Sequence, residues 1–386
     1  MMTIRSLPLI CLCLVAGSVA AADGPTRADI AAAIGKAQNW FLAQQQDDGS
    51  FSDMAEFKLG ITLVALDALT FGEQALGPDN EHVARALAFI DQHVNDDGSV
   101  TTADGGLSNY CTSLSLMIWA RTGAPKEKIE AAQRYLFGLQ NTDPNDINEG
   151  GIGYGSSGPT HEDLNNTTYA ITALRDSGVP ADHPAMERAM KFLQRCQNLS
   201  EVNDMAWAGN DGSAVYAPHE SKAGGSWSEE QQAKAQVEQA KETGKLAGYG
   251  SMTYNLICSY IYLQLSPEDP RVQAALNWAK EHYQFDANPG LPAEQAQQGL
   301  FYYYQMMAKT FDLIDAGMLT LPDGTEADWR ADLTAALMAQ ATEVTLESGD
   351  QGLFWINSAS RWWEGSPGIS TSYGLKALKR IHASME

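Results

Sequence analysis

The feature that most limits what this chain can become is an internal repeat in which two kinds of helix alternate. The first kind is amphipathic. Ile30, Ile34, Ala37 and Phe41 share one face, as do Val83, Leu87, Ile90 and Val94, and Ile129, Ala132, Leu136 and Leu139, with Lys, Arg, Gln and Glu opposite them. A polar turn rich in Gln, Asp and Gly follows. The second kind is apolar nearly all round: Leu256, Ile257, Tyr260, Ile261 and Leu263 leave no continuous polar stripe. Such a helix must be covered on two faces.

Six such pairs run along the chain, from AIGKAQNWFLAQQQDDGSF with KLGITLVALDAL to ADLTAALMAQ with TSYGLKALKRI. Half-buried helices outside and fully buried helices inside make two concentric rings. The expected fold is therefore all-α, an α/α toroid of about six helical hairpins. An open superhelix is the alternative, and it would need polar end caps, of which none is clear. Strand signal is almost absent. Asp48-Gly49 and Asp97-Gly98 could mark β-hairpins, but they follow helical repeats and are read as helix ends. The fourth pair is split by a long polar insertion at about 199–247, expected to form a lid or rim, or else a disordered surface loop.

Residues 1–22 read as a cleaved secretory signal, with Arg5, an apolar run Leu7–Val15 and the small residues Ala20-Ala21-Ala22. Residues 23–386 are then a single toroid domain, expected to be secreted or periplasmic, and no later segment is apolar enough to cross a bilayer. Cys111, Cys196 and Cys258 remain after cleavage. So sparse and odd a set argues against a disulfide framework and for buried small hydrophobes. The net charge of −23 disfavours nucleic acid and anionic lipid as partners. A protein partner is not legible.

In a toroid the inner helices point their N-termini at one end of the central hollow, where exposed amides and helix dipoles converge. The register places Tyr110 and Cys111 at that end, with His161, Asp163, Asn165 and Asn166. Tyr249, Thr253, Tyr302–Tyr304 and Arg361–Glu364 join them. Trp207, Tyr254, Tyr302, Tyr303, Trp362 and Trp363 are candidate ligand contacts, since aromatic faces line apolar pockets and attract cations; the alternative is that the rings simply fill the core. Asp163 stands where a helix N-cap belongs.

FLAQQQDDGSF, GGIGYG with DLNNTTYA, YGSMTY, QQGLFYYY and RWWEG together resemble the prenyltransferase/squalene oxidase repeats of squalene and hopene cyclases and protein prenyltransferase β subunits. GGIGYG with DLNNTTYA, YGSMTY, QQGLFYYY and RWWEG are also similar to those of secreted bacterial members of unassigned activity. The resemblance covers essentially the whole mature chain and implies the toroid. It also implies a hydrophobic, isoprenoid-type ligand in a central aromatic cavity. Class II terpene cyclases carry Asp-x-Asp-Asp-Thr, and this chain reads Asp163-Leu164-Asn165-Asn166-Thr167. Asp163 matches the first carboxylate, Asn165 the proton-donating one and Asn166 its neighbour. An amide has no acidic proton to give an alkene, so catalysis stays open, with Asp163 and His161 as the remaining acid–base candidates.

The prenyltransferase side of the resemblance implies a zinc held by Asp, Cys and His. Here Asn109-Tyr110-Cys111 departs from the Asp-x-Cys step, which leaves Cys111, His161 and Asp163 as a candidate set. No cofactor is expected otherwise. A diphosphate would have only Lys222, Lys245, Lys309 and Arg361 to meet it. Two other readings compete. One is a carbohydrate-active α/α barrel, with Trp207, Trp362 and Trp363 stacking sugars and His161, Asp163 and Glu364 as acid and base. The other is a protein-binding scaffold without catalysis.

Overall fold

The computed structural model describes residues 24–102, 105–155 and 161–385; the signal assigned to 1–22 lies outside them. Six helices form an outer layer: α1 (Arg27–Gln44), α3 (Glu81–Asp91), α5 (Lys126–Gly138), α7 (Pro184–Cys196), α10 (Pro270–Glu281) and α12 (Trp329–Ala339). Six form an inner one: α2 (Lys58–Leu69), α4 (Ser108–Thr122), α6 (Leu164–Asp176), α9 (Gly250–Tyr262), α11 (Leu300–Leu313) and α13 (Pro367–Ser384). A thirteenth, α8 (Glu229–Glu238), lies in the insertion. Each inner helix packs on the next, and α13 returns to α2, so the ring is closed. The architecture is an α/α toroid.

Burial follows the sequence pattern. Ile30, Ile34, Ala37 and Phe41 form the buried face of α1, whereas α2 is buried at nearly every position from Leu59 to Leu69. The first outer helix packs chiefly away from its own hairpin partner. Its apolar face lies on α13 and on a β-strand beside it, where Trp40 stacks on Phe354 at 5.3 Å.

A recurring joint explains why the hairpins repeat. In five of the six, a backbone N–H in the turn donates to a threonine hydroxyl early in the inner helix: Phe51 to Thr62, Val100 to Thr112, Ile152 to Thr167, Ala214 to Thr253 and Trp355 to Thr371, at 2.9–3.1 Å. In the other, the Tyr303 hydroxyl donates to the Gln284 carbonyl at 3.0 Å. A glutamine at the end of the outer helix does the second half of the work. Gln45, Gln140 and Gln197 each donate both to a turn glycine carbonyl and to a carbonyl at the start of the next outer helix. The turn glycine is forced: at Gly150 φ is +88°, and a Cβ would sit 1.9 Å from the Arg188 carbonyl oxygen of α7.

The strand expectation needs correction in detail. α1 ends at Gln44 and α3 at Asp91, so neither Asp-Gly pair ends a helix; each closes a tight turn, Gly49 N donating to the Gln46 carbonyl and Gly98 N to that of Asn95, and Val94 bridges Val100. Two short hairpins flank α12: β1 (Leu319–Thr320) pairs with β2 (Glu326–Ala327), and β3 (Thr342–Thr345) with β4 (Gln351–Phe354). β3 lies mostly in solvent and is four residues long, so it carries no apolar alternation to read.

The insertion is folded. Trp207 and Trp227 are buried within it, Trp207 Nε1 donates to the Pro218 carbonyl, and Gln232 of α8 accepts from Ala206 N and Trp227 Nε1. Cys111, Cys196 and Cys258 are buried and are not joined in disulfides.

Candidate functional site

Six parallel inner helices leave the two ends of the bore electrically unlike. Each helix carries roughly half a positive charge at its N-terminus and half a negative one at its C-terminus. Cations gather at the C-terminal end. The buried Asp67 holds the half-buried Arg121 and Lys376 there, Arg380 pairs with Asp312, and the Lys309 ammonium donates to Thr172 Oγ1 at 2.9 Å. Lys379 donates to the Leu69 and Phe71 carbonyls that end α2. Burial pushes Lys309 down to about 8 and Lys379 to about 7. Burial alone would raise the Asp67 carboxyl, but the charges of Lys376 and Arg121 outweigh it and hold it well below the usual carboxylate range.

At the N-terminal end lies a cavity of about 330 Å3. Every inner helix contributes its first turns. Ten of the twenty-one lining residues are aromatic, and seven of those are tyrosines, so the wall is flat and polarisable with hydroxyls at intervals. Tyr169 and Tyr302 form the floor and also line a much smaller space of about 30 Å3 on the cationic side. Tyr110 donates to Tyr169 at 3.3 Å, and Tyr302 and Tyr373 lie 5.4 Å apart, centre to centre. The mouth is apolar: Met54, Leu107, Tyr154, Trp362 and Trp363 all line the cavity and are all exposed. The tryptophans are held in left-handed backbone, at φ 55° and 65°, and the Trp363 ring packs 3.9 Å from that of Phe57.

Of the candidates, Tyr110, Asn165, Tyr302, Trp362, Trp363 and Glu364 are brought together on this wall. Asp163 sits just behind it as the N-cap of α6, accepting from Asn166 N at 2.8 Å and Asn166 Nδ2 at 2.7 Å. Burial raises its carboxyl to about 6, with the hydrogen bonds from Asn166 and Tyr216 opposing. Asn166 is spent on that cap and on α4, where Asn109 Nδ2 donates to its carbonyl. Glu364 is fully buried. Its carboxylate accepts from Tyr302 N (2.7 Å), Phe301 N (3.2 Å) and Asn357 Nδ2 (2.7 Å), and burial raises it to about 7.

The remaining candidates lie elsewhere. Trp207 is core of the insertion; Tyr254 packs among Tyr303 and Phe311; Tyr303 points its hydroxyl outward to Gln284. Three successive tyrosines cannot all face one bore, because neighbours on a helix are about 100° apart. Arg361 stacks on Trp362 outside the mouth, and His161 is exposed off the wall. Cys111, His161 and Asp163 do not converge: among the described residues no group of three or more His, Cys, Asp or Glu side chains could hold a metal. The cations proposed for a diphosphate are scattered. Lys309 is beyond the floor, Lys245 pairs with Glu242 on the surface, and Lys222 lies over the Tyr216 ring and pairs with Glu220.

Several wall residues were not anticipated, among them Phe57, Ile61, Tyr154, Tyr169, Tyr216 and Tyr373. The signal for some was present. Tyr169 is four residues after Asn165, Ile61 four after Phe57 and Tyr373 four after Ile369, the spacing that puts two side chains on one helix face. Tyr154 comes from the GGIGYG loop and Tyr216 from the insertion, and no helical period reaches either.

No family model matches the sequence, and no curated protein matches it. Among solved structures the chain is similar to the type II terpene cyclase MstE from Scytonema in its apo form, with TM-score 0.55 and 13% identity over 94% of this chain and 100% of that one. The same enzyme in complex with merosterolic acid A, its product, gives TM-score 0.55 and 13% identity over 93% and 99%. In complex with geranylgeranyl dihydroxybenzoate, its substrate, it gives 0.52 and 13% over 93% and 99%. At that identity the likeness is one of fold.

Proposed function

We propose that this protein is an exported toroid that binds a hydrophobic, isoprenoid-type ligand in the aromatic cavity at the N-terminal end of its inner helices. One observation carries the reading. The wall is dominated by aromatic rings, its volume falls in the range of about 300–1,000 Å3 common for small-molecule sites, and exposed apolar side chains ring its mouth. An apolar chain entering there removes both its own surface and that of the rim from water, at roughly 25 cal/mol per Å2. That the similar cyclase takes a geranylgeranyl substrate supports the ligand class.

The competing carbohydrate reading needs two carboxylates about 5–9.5 Å apart across an open cleft. Among the described residues the wall has one, Glu364, with its oxygens turned to the amides of α11. A scaffold with a filled centre fits less well still. Cyclisation by alkene protonation lacks its donor at Asn165, and the buried carboxyls nearby are engaged, Asp163 as a helix cap, Glu364 as a clamp on α11 and Glu162 in accepting from Asn141 Nδ2. Binding is therefore the proposed activity. Export rests on residues 1–22 and is checked by N-terminal sequencing of the periplasmic protein.

Native mass spectrometry and lipid extraction of protein expressed in the periplasm test the reading. A co-purifying isoprenoid or hopanoid is the expected result. An empty protein whose tryptophan fluorescence also fails to respond to any added isoprenoid overturns it.

A further inference from the structure

The position matched to the cyclase acid is occupied by an amide whose orientation can be worked out. The Tyr302 hydroxyl lies against two side-chain amides, 2.9 Å from Asn255 and in close contact with Asn165. A phenol has one proton and can donate to only one of them. Asn255 is buried, and its Nδ2 donates to the Ser251 carbonyl at 2.7 Å. Turning that amide over would set two oxygens against each other, so Asn255 keeps its Oδ1 toward Tyr302 and takes the proton. The structure sets Asn165 Oδ1 against the same hydroxyl, which leaves two oxygens on a phenol with one proton, so the Asn165 amide is to be turned over and offers Tyr302 its NH2 group. In that orientation its carbonyl oxygen takes the place of the amide nitrogen, which bonds to no described residue, on a side chain that lines the cavity.

The surroundings restrict what meets that oxygen. Among the described residues no Lys, Arg or His lines the cavity, and the one acidic side chain there, Glu364, is clamped by amides. Lys222 and Arg361 lie over the rings of the wall residues Tyr216 and Trp362, and Lys309 lies beyond the floor. Nothing on the wall compensates a buried diphosphate or carboxylate, whose desolvation costs far more than that of a hydroxyl.

We propose that Asn165 is a specificity residue that accepts a hydrogen bond from a ligand hydroxyl, so that the site selects an uncharged isoprenoid alcohol over the hydrocarbon and over the prenyl diphosphate. This rests on the binding reading above and adds the head group to it.

The test is a tryptophan-fluorescence titration of the protein with farnesol, farnesene and farnesyl diphosphate. Farnesol should bind roughly three- to tenfold tighter than farnesene, the worth of one net hydrogen bond, and farnesyl diphosphate weakest. Asn165→Leu should bring farnesol and farnesene to equal affinity while farnesene binds at least as well as before. The wild-type ranking decides the ligand class even if the variant does not fold. Equal wild-type affinity for farnesol and farnesene overturns the proposal, as does farnesyl diphosphate binding as tightly as farnesol, and both leave the hydrophobic cavity standing. A farnesol preference that survives in Asn165→Leu removes the role given to Asn165. Failure of all three to bind removes the cavity reading itself.

Discussion

Asp67→Asn is the perturbation whose cost the structure defines most closely. The carboxylate is 1% exposed and holds two cations, Lys376 of the last inner helix and Arg121 of the second. Asparagine keeps the shape and removes the charge. Breaking a buried ion pair from one side costs about 3–5 kcal/mol, because the partner is left charged and uncompensated. Arg121 keeps a side chain 24% exposed and Lys376 one 12% exposed, so water recovers part of that, and about 3 kcal/mol is the expected loss. With an unfolding entropy of about 2 cal/mol/K per residue, a chain of 386 residues loses about 4 °C of Tm for that amount. Urea unfolding and calorimetry measure it. A second substitution, Lys376→Met, removes one stranded cation, and the double variant should recover at least half of the loss. If Asp67→Asn lies within about 1 kcal/mol of wild type, the triad is not a closed electrostatic unit and the account of the cationic end fails.

Asp163 and Glu364 predict a pH dependence. Their folded values, about 6 and about 7, lie above the unfolded ones, so the native state holds more protons between about pH 4 and 7. Stability is full below the unfolded values and falls as pH rises through the folded ones. Tm should drop from pH 5 to pH 8 by an amount worth on the order of 2 kcal/mol per group, and Glu364→Gln should flatten the upper part of that drop. Asp67 acts in the opposite sense, its contribution present above about pH 4 and lost only in stronger acid. Gly150→Ala should cost more than about 2 kcal/mol in urea titration, since φ is +88° and the new methyl meets the Arg188 carbonyl. Trp363→Gly should relieve left-handed strain worth about 1 kcal/mol and raise Tm, yet weaken farnesol binding several-fold in isothermal titration.

The toroid was legible because its two helix types bury different fractions of their surface, and hydrophobic periodicity reports that directly. Asp163 as an N-cap was legible for the same local reason, a carboxylate placed just ahead of a helix. The cavity wall was legible where helical register decides direction, as at Tyr110 and Asn165, and at the aromatic cluster Trp362-Trp363 with Glu364. Tyr254 and Tyr303 show the limit, because an all-apolar helix carries no mark of which side faces the bore. Trp207 shows another: an insertion with its own small core takes up aromatic residues that composition alone would assign to a ligand. The threonine and glutamine joints were in plain view in the sequence, but their meaning depends on contacts made with the following hairpin.

The seam between α1 and α13 has a consequence for synthesis. The apolar stripe of Ile30, Ile34, Ala37 and Phe41 leaves the ribosome more than 300 residues before the helix that covers it, and contacts of such sequence separation form slowly. During that interval the nascent chain is an unclosed collar, sticky along its leading edge and prone to join another of its kind. A translation product that stops short of Pro367 lacks the strip that bridges α11 to α2 and shields α1, which makes it a substrate for chaperones and proteases.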